Sequence, residues 1–252
     1  MKNNFHLSIE SAGQLDFLRN TPLRGFSSLE ISGELLAQGK ELVPEKLRVS
    51  AIRDLISPVL ARLITFENIS MQIKFGQLLR RQIALAADLG ATAGSIDFDL
   101  PEILGDREKE KKLLLLVKGL FGIAAGYKFK LLIQLRIPGS NNLDMQQLLR
   151  FKQALLYPDF GYIFDFHPHE PGAFDFEGQV AKLPFDTGFW RLSFEPDKGN
   201  MLTKPLLEKF NAMTGQSMLM QGDVFICPGK AELDNHLLEK ISALITPENG
   251  ND

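Results

Sequence analysis

The sequence predicts an α/β fold, a (β/α)8 TIM barrel whose single domain takes in residues 1–252. Three observations carry the expectation. Short β-patterned segments recur along the chain and alternate with stretches in which apolar residues fall at helical spacing, the signature of a parallel α/β architecture. Eight such segments can be read, and the length of 252 residues lies close to the ~250 typical of this barrel. When the bulky apolar residues of each strand are turned outward toward the helices, the opposite parity is polar almost throughout, as a barrel with a functional mouth requires.

The elements follow in order. The first strand is expected over Phe5–Glu10, with His6, Ser8 and Glu10 inward, and the second over Ser27–Ser32, with Ser28, Glu30 and Ser32 inward. Leu47–Arg53 is the third and the most weakly patterned. Ser70 to Leu89 reads as a helix, because Ile73, Leu78, Ile83, Ala84 and Ala87 recur at roughly helical spacing and Gly90 supplies a left-handed stop. The fourth strand, Gly94–Asp99, turns Ser95, Asp97 and Asp99 inward. The mixed-charge run Gly105–Lys112 then opens a helix as its solvated face, and Leu113–Phe121 supplies its buried side. The fifth strand, Phe129–Arg136, carries Gln134 and Arg136. Pro138–Asn142 is a loop entering a helix that starts near Leu143. Strand six is Gly161–His167, strand seven Phe189–Glu195 with Arg191, Ser193 and Glu195 inward, and strand eight Ser217–Asp223 with Gln221 and Asp223 inward. A helix over Lys230–Leu244 places His236 on its surface, and the ending 247–252 lacks apolar residues and should fray.

Composition narrows the function classes. With 44% hydrophobic and 23% charged residues the chain is of ordinary globular type, and no internal stretch has linker composition. The net charge of −3 and pI near 5.9 give no basic excess for a polyanion, so nucleic acid is not an expected partner. The longest apolar run, Leu113–Val117, is far below the ~18 residues needed to cross a bilayer. The start Met1–His6 has no apolar run of secretory type, and the single Cys227 cannot form an internal disulfide. A cytoplasmic protein without a membrane partner is the expectation.

The chemistry concentrates in Tyr162–Glu170. Asp165, His167 and His169 alternate, so on one strand they share a face, while Tyr162, Phe164 and Phe166 face an apolar layer behind. At the C-terminal ends of the other strands stand Glu10, Asp99, Arg136, Glu195 and Asp223. Carboxylates crowded at one mouth require a cation, a proton or a polar ligand. Ser8, Ser28 and Ser95, lower in the barrel, read as hydrogen-bonding core. Trp190 and Phe189 begin their strand and therefore read as packing at the opposite end.

Arg80–Gly90 followed by Thr92–Asp99 resembles the helix and fourth strand of the xylose isomerase-like barrels, and Phe17-Leu-Arg-Asn followed by Gly25-Phe-Ser-Ser-Leu-Glu-Ile-Ser32 is similar to their first helix and second strand. That superfamily comprises sugar phosphate isomerases and epimerases and the endonuclease IV-type AP endonucleases (AP endonuclease family 2). The resemblance implies one divalent metal held by a Glu on strand five, an Asp on strand six, a His on strand seven and a Glu on strand eight, with the two glutamates moving a proton between neighbouring carbons. Asp165 matches the strand-six Asp. Gln134 stands at the strand-five Glu, Ser193 or Arg191 at the His, and Gln221 at the strand-eight Glu. A Glu-to-Gln change keeps the shape and removes both charge and basicity, which disfavours a divalent metal as cofactor and marks the metal site as degenerate.

Three chemistries compete at the mouth. A rearranged zinc or manganese site can be drawn from Asp165, His167, His169 and Glu195, although Pro168 ends the strand and turns His169 toward the loop. Metal-free acid/base catalysis can be drawn from Glu195 with Asp165 or Asp99, with Arg136 holding an oxyanion or acidic group. The third is a binding site for a sugar or polyol, built from Arg136, Gln134, Gln221, His167 and Glu10 and turning nothing over. An AP endonuclease needs many more metal ligands than four histidines allow, and His6 and His236 lie far from the cluster in sequence. The sequence therefore points to a sugar isomerase- or epimerase-like protein that acts on or binds a small carbohydrate or sugar phosphate, with a non-catalytic sugar- or polyol-binding barrel as the alternative.

Overall fold

Each strand hydrogen-bonds in parallel to the next in sequence and the eighth returns to the first, closing a barrel. The computed structural model describes residues 4–38, 41, 43–65, 69–137, 145–155, 161–176, 189–215 and 223–246. The strands are β1 (Asn4–Ile9), β2 (Leu29–Ser32), β3 (Val49–Arg53), β4 (Ala93–Ile96), β5 (Lys130–Ile137), β6 (Gly161–Phe166), β7 (Phe189–Ser193) and β8 (Asp223–Cys227). Around them lie α1 (Ala12–Leu18), α2 (Gly33–Gln38), α3 (Pro58–Thr65), α4 (Ile69–Asp88), α5 (Leu100–Ile103), α6 (Arg107–Gly126), α7 (Met145–Leu155), α8 (Lys204–Gly215) and α9 (Asn235–Ile245). Among the described residues no helix is long and apolar enough to cross a membrane.

The helices form where caps and apolar stripes coincide. Ser11 and Gln14 close a capping box on α1, and the Gln14 amide then donates to the carbonyls of Gly229 and Ala231, tying α1 to the segment after β8. Asp106 caps α6 by accepting from the backbone N–H of Glu108 and Lys109, and Leu113, Leu116, Val117, Leu120, Phe121 and Ala124 form its buried stripe. Behind β6 and β7 the ring of Trp190 stacks on Phe164 with centroids 5.0 Å apart and meets Phe210 of α8 edge-on, so Trp190 is packing.

Most strand boundaries differ from the sequence reading by a residue or two, and at β4, β7 and β8 the difference carries a candidate residue away from the site. β8 runs over Asp223–Cys227, not Ser217–Asp223, because Val224-Phe-Ile226 supplies the β-branched and aromatic core of the strand. Asp223 therefore begins β8 and lies at the end of the barrel opposite the mouth, 3.1 Å from His6 Nε2 and beside Asn4. Gln221 lies outside the described residues, as do the Pro138–Asn142 loop and the ending 247–252. β4 stops at Ile96, so Asp97 and Asp99 stand on the loop beyond it, Asp99 with a left-handed φ of 54°. β7 stops at Ser193, leaving Glu195 on the rim.

The barrel interior is layered. Ala51, Ala93, Leu132, Ile163 and Phe225 with Phe189 form a small apolar plug, separate from the large core between strands and helices. The inward parity is thus less uniformly polar than the sequence reading held. Among the described residues Glu30, Arg53, Asp165 and Arg191 are stacked on the mouth side of that plug, while His6, Asp223 and Lys130 lie at its lower end.

Candidate functional site

The inward residues above the plug are Ser8 and Glu10 from β1 and the turn after it, Glu30 from β2, Arg53 from β3, Ser95 from β4, Gln134 from β5, Asp165 from β6, Arg191 and Ser193 from β7 and Cys227 from β8. Arg191 is fully buried at 0% exposure, a position a guanidinium can hold only with its donors used. Its Nε donates to Glu30 Oε2 at 2.9 Å and its Nη2 to Glu30 Oε1 at 2.5 Å, a bidentate pair. Its Nη1 donates to Gln134 Oε1 at 3.0 Å and reaches Asp165 Oδ2 at 3.5 Å. Ser8 Oγ completes the Glu30 site with a donated bond of 2.7 Å.

A second arginine closes the centre from above. Arg53 Nη2 lies 3.3 Å from Asp165 Oδ2, while Nη1 pairs with Glu10 Oε1 and sits 3.1 Å from Cys227 Sγ. Asp165 is thereby surrounded: Ser193 Oγ donates to its Oδ1 at 2.5 Å, and Gln134 Nε2 to its Oδ2 at 3.4 Å. Burial alone pushes a carboxyl up, but the guanidinium groups of Arg53 and Arg191, with His167 behind them, outweigh it and hold Asp165 well below the usual carboxylate range. Cys227 feels the reverse balance. Burial pushes its thiol up to about 12 against the pull of Arg53, so it is a neutral S–H that donates to Glu10 Oε1 at 3.3 Å.

The other expected site residues are spread over the rim. His167 Nε2 lies 3.5 Å from Asp165 Oδ1, an ion-pair distance without a well-formed hydrogen bond, and its Nδ1 faces Glu170 at 3.8 Å. His169 has turned away and its Nε2 meets the Met201 carbonyl at 3.0 Å, because the chain leaves the strand at Pro168. Arg136 is exposed and paired with Glu170. Glu195 is also exposed, and its hydrogen bond from Lys198 lowers its pKa. Asp99 and Asp97 both pair with Arg62, and burial raises the Asp99 carboxyl. Asp165, Gln134, His167 and Glu10 are gathered into one site. Asp99, Glu195, Arg136 and His169 are not, since the strands that were to carry the first two end two or three residues earlier.

Sequence reasoning missed Arg53, Asp54 and Cys227. Arg53 alternates with the inward Ala51 and could have been read from strand parity; Cys227 was lost with the register of β8. Asp54 has no such signature. Its backbone is left-handed (φ 50°), and α2 presses on it so closely that a Cβ on Gly33 would lie 2.1 Å from the Asp54 carbonyl oxygen. Asp54 Oδ2 lies 3.5 Å from Arg53 Nε, and its Oδ1 is buried with no hydrogen-bond partner. Burial pushes this carboxyl up to about 6, with Arg53 and Arg191 pulling the other way.

The donor set does not fit a divalent cation. Any ion bound at Asp165 would share that carboxylate with two guanidinium groups, and the amide of Gln134 and hydroxyl of Ser193 bring no charge to offset it. Among the described residues no group of three or more His, Cys, Asp and Glu could hold a metal.

Comparison with known proteins places this geometry in a fold. No family model matches the sequence, and no curated protein matches it. Solved structures do. The apo 3-keto-D-glucoside 4-epimerase YcjR of E. coli superposes with a TM-score of 0.64 at 15% identity, covering 96% of this chain and 99% of that one. A xylose isomerase domain protein from Alicyclobacillus acidocaldarius gives 0.63 at 13%, covering 96% and 98%. D-Psicose 3-epimerase with D-tagatose, from Clostridium cellulolyticum H10, gives 0.63 at 11%, covering 97% and 96%. The chain has the fold of the xylose isomerase-like sugar epimerases and isomerases over nearly its whole length.

Two outcomes follow. Replacing Arg191 by Met leaves Glu30 buried without its cation and should cost about 3–5 kcal/mol, read as a lower midpoint in urea unfolding. Asp54 carries the opposite sign. Its folded-state pKa of about 6 lies above the ~3.9 of an unperturbed Asp, so ionised Asp54 works against folding: its contribution is fully favourable below ~3.9 and is lost as pH rises through about 6. Asp54→Asn should therefore raise stability near pH 8 by roughly 1–2 kcal/mol after allowance for partial exposure, and thermal melts should show the gain fading by about pH 4.

Proposed function

We propose that this barrel binds a small polyhydroxylated molecule, a sugar or sugar derivative, at its C-terminal mouth, without the metal-assisted proton transfer that the sequence resemblance implies. The observation that carries this reading is the occupation of Asp165 by Arg53 and Arg191. A carboxylate held so far below its usual range and engaged at both oxygens is neither a base nor a free metal ligand. What the mouth offers instead is Glu10, Arg53, Asp54 and His167, of which Asp54 Oδ1 and His167 Nε2 are buried atoms without hydrogen-bond partners. Such groups suit vicinal hydroxyls, which donate and accept at once. Solved barrels of this fold hold D-allulose and D-tagatose, which supports a ligand of that size and polarity.

One observation favours a second reading, metal-free proton transfer. Asp54 combines a strained backbone, a mouth position and a carboxyl that titrates near neutrality, the properties of a general base.

The two readings separate in one set of measurements. With EDTA present, a panel of aldoses, ketoses and their phosphates should include a ligand that stabilises the fold by the ~2.7 kcal/mol expected at a hundredfold excess over Kd, read as a higher melting temperature. In heavy water that ligand should keep its carbon-bound protons by NMR; exchange that Asp54→Asn abolishes would establish the second reading. A panel in which binding appears only on addition of manganese or zinc would refute both.

A further inference from the structure

The first turns of α6 and α7 enclose a hollow of about 460 Å³ in the outer layer of the barrel. Both helices begin on connections that leave the C-terminal ends of β4 and β5, so the hollow lies at the mouth end, yet it shares no lining residue with the mouth site. From α6 it is lined by Arg107, Glu110, Lys111 and Leu114, which fall at i, i+3, i+4 and i+7 and so form one stripe. Gln147 and Arg150 answer from α7. Between packed helices such a stripe is ordinarily apolar, because it is where the two surfaces close on each other. Here only Leu114 is apolar, and beyond it the seam opens. Gly105 completes the rim with a φ of 107°, a conformation that suits glycine, and a Cβ there would lie 3.7 Å from Gln147 Nε2. The amide of Gln147 therefore stands at the edge of the hollow.

The charge of the hollow is uneven. Three exposed cations, Arg107, Lys111 and Arg150, line it against one carboxylate, Glu110. Among the described residues none of the three makes an ion pair, with Glu110 or with any other carboxylate. The other carboxylates of the first turn of α6 do not relieve them: Asp106 caps the helix and pairs with Lys109, Glu108 does not line the hollow, and α7 carries no carboxylate. Arg107 and Lys111 moreover stand at i and i+4, where like charges repel. We propose that this hollow binds the phosphate group of a small phosphorylated molecule. Guanidinium groups from two helices offer planar forks to neighbouring phosphate oxygens, Lys111 adds a point charge and Gln147 an amide N–H. A phosphate monoester carries about two negative charges at neutral pH, which matches the excess of cations over carboxylates in the lining. Shape selects a small ligand. A concave site of this volume takes a molecule of metabolite size, whereas a nucleic acid needs cations spread over a face, and the chain as a whole has a net charge of −3.

The test uses the full chain in calorimetric titrations at constant ionic strength, with inorganic phosphate, pyrophosphate and glycerol 3-phosphate as probes. Saturable binding of at least one probe at a single site is expected. Arg107→Glu and Arg150→Glu should each weaken it about tenfold or more while the melting temperature is kept, and Arg150→Gln carries the test should a charge reversal not fold. Glu110→Gln removes the one opposing charge and should tighten binding about threefold, an effect that loss of structure would not produce. Absence of saturable binding overturns the proposal, as does binding that the Arg107 and Arg150 variants leave unchanged. Binding abolished by Arg136→Ala and untouched by Arg150→Glu also overturns it, by assigning the anion to the mouth. So does a single-stranded oligonucleotide that binds more tightly than every phosphate probe with the same dependence on Arg150, which assigns the surface to nucleic acid.

Discussion

The buried guanidinium of Arg191 is the constraint around which the barrel interior is arranged. A fixed cation with no exposure must be met by charge and by hydrogen-bond acceptors, and it meets Glu30 on one side and Gln134 and Asp165 on the other. Those partners come from β2, β5 and β6, so one side chain on β7 braces strands across the lumen. The residues above are then settled in turn. Asp165, already shared, accepts Arg53; Arg53 in turn orients Glu10 and Cys227, and its backbone leads into the left-handed turn at Asp54.

That arrangement sits inside a fold shared with sugar epimerases, and the fold does not dictate it. Fold is set by the apolar layer between strands and helices and by the plug of Ala51, Ala93, Leu132, Ile163 and Phe225, none of which takes part in chemistry. The layer above is free to change so long as charge balances. The metal site that the sequence resemblance implies would balance its carboxylates around a cation that is not part of the chain; here the cations are built into β3 and β7. A guanidinium and a divalent ion both neutralise carboxylates, but the first fills the lumen with covalently attached atoms.

The barrel was legible in the sequence because strand parity and helical periodicity are local properties, and Gly90, Asp106 and the alternation in Gly161–His167 report them directly. Gln134 was also legible as an inward residue, and the structure sets its amide against Asp165. What escaped was register. Asp99 and Glu195 were placed at the mouth by extending strands past their ends, Asp223 by reading strand eight too early in the chain, and the inward residue at the end of β8, Cys227, looked like an ordinary apolar position. Arg53 escaped because a short, weakly patterned strand hid its parity. Asp54 had no sequence signature at all, since its conformation comes from the close approach of Gly33 in another element.

Cys227 turns this packing into a natural reporter. The chain holds one cysteine, and its thiol sits at the end of β8, whose pairing with β1 closes the cylinder. It is buried and held between Glu10 and Arg53 at the mouth, and burial pushes its thiol up, so an alkylating reagent reaches it only when those side chains or the strands that carry them move aside. The pace of thiol modification in the native protein is thus a clock for the opening of the barrel's charged mouth.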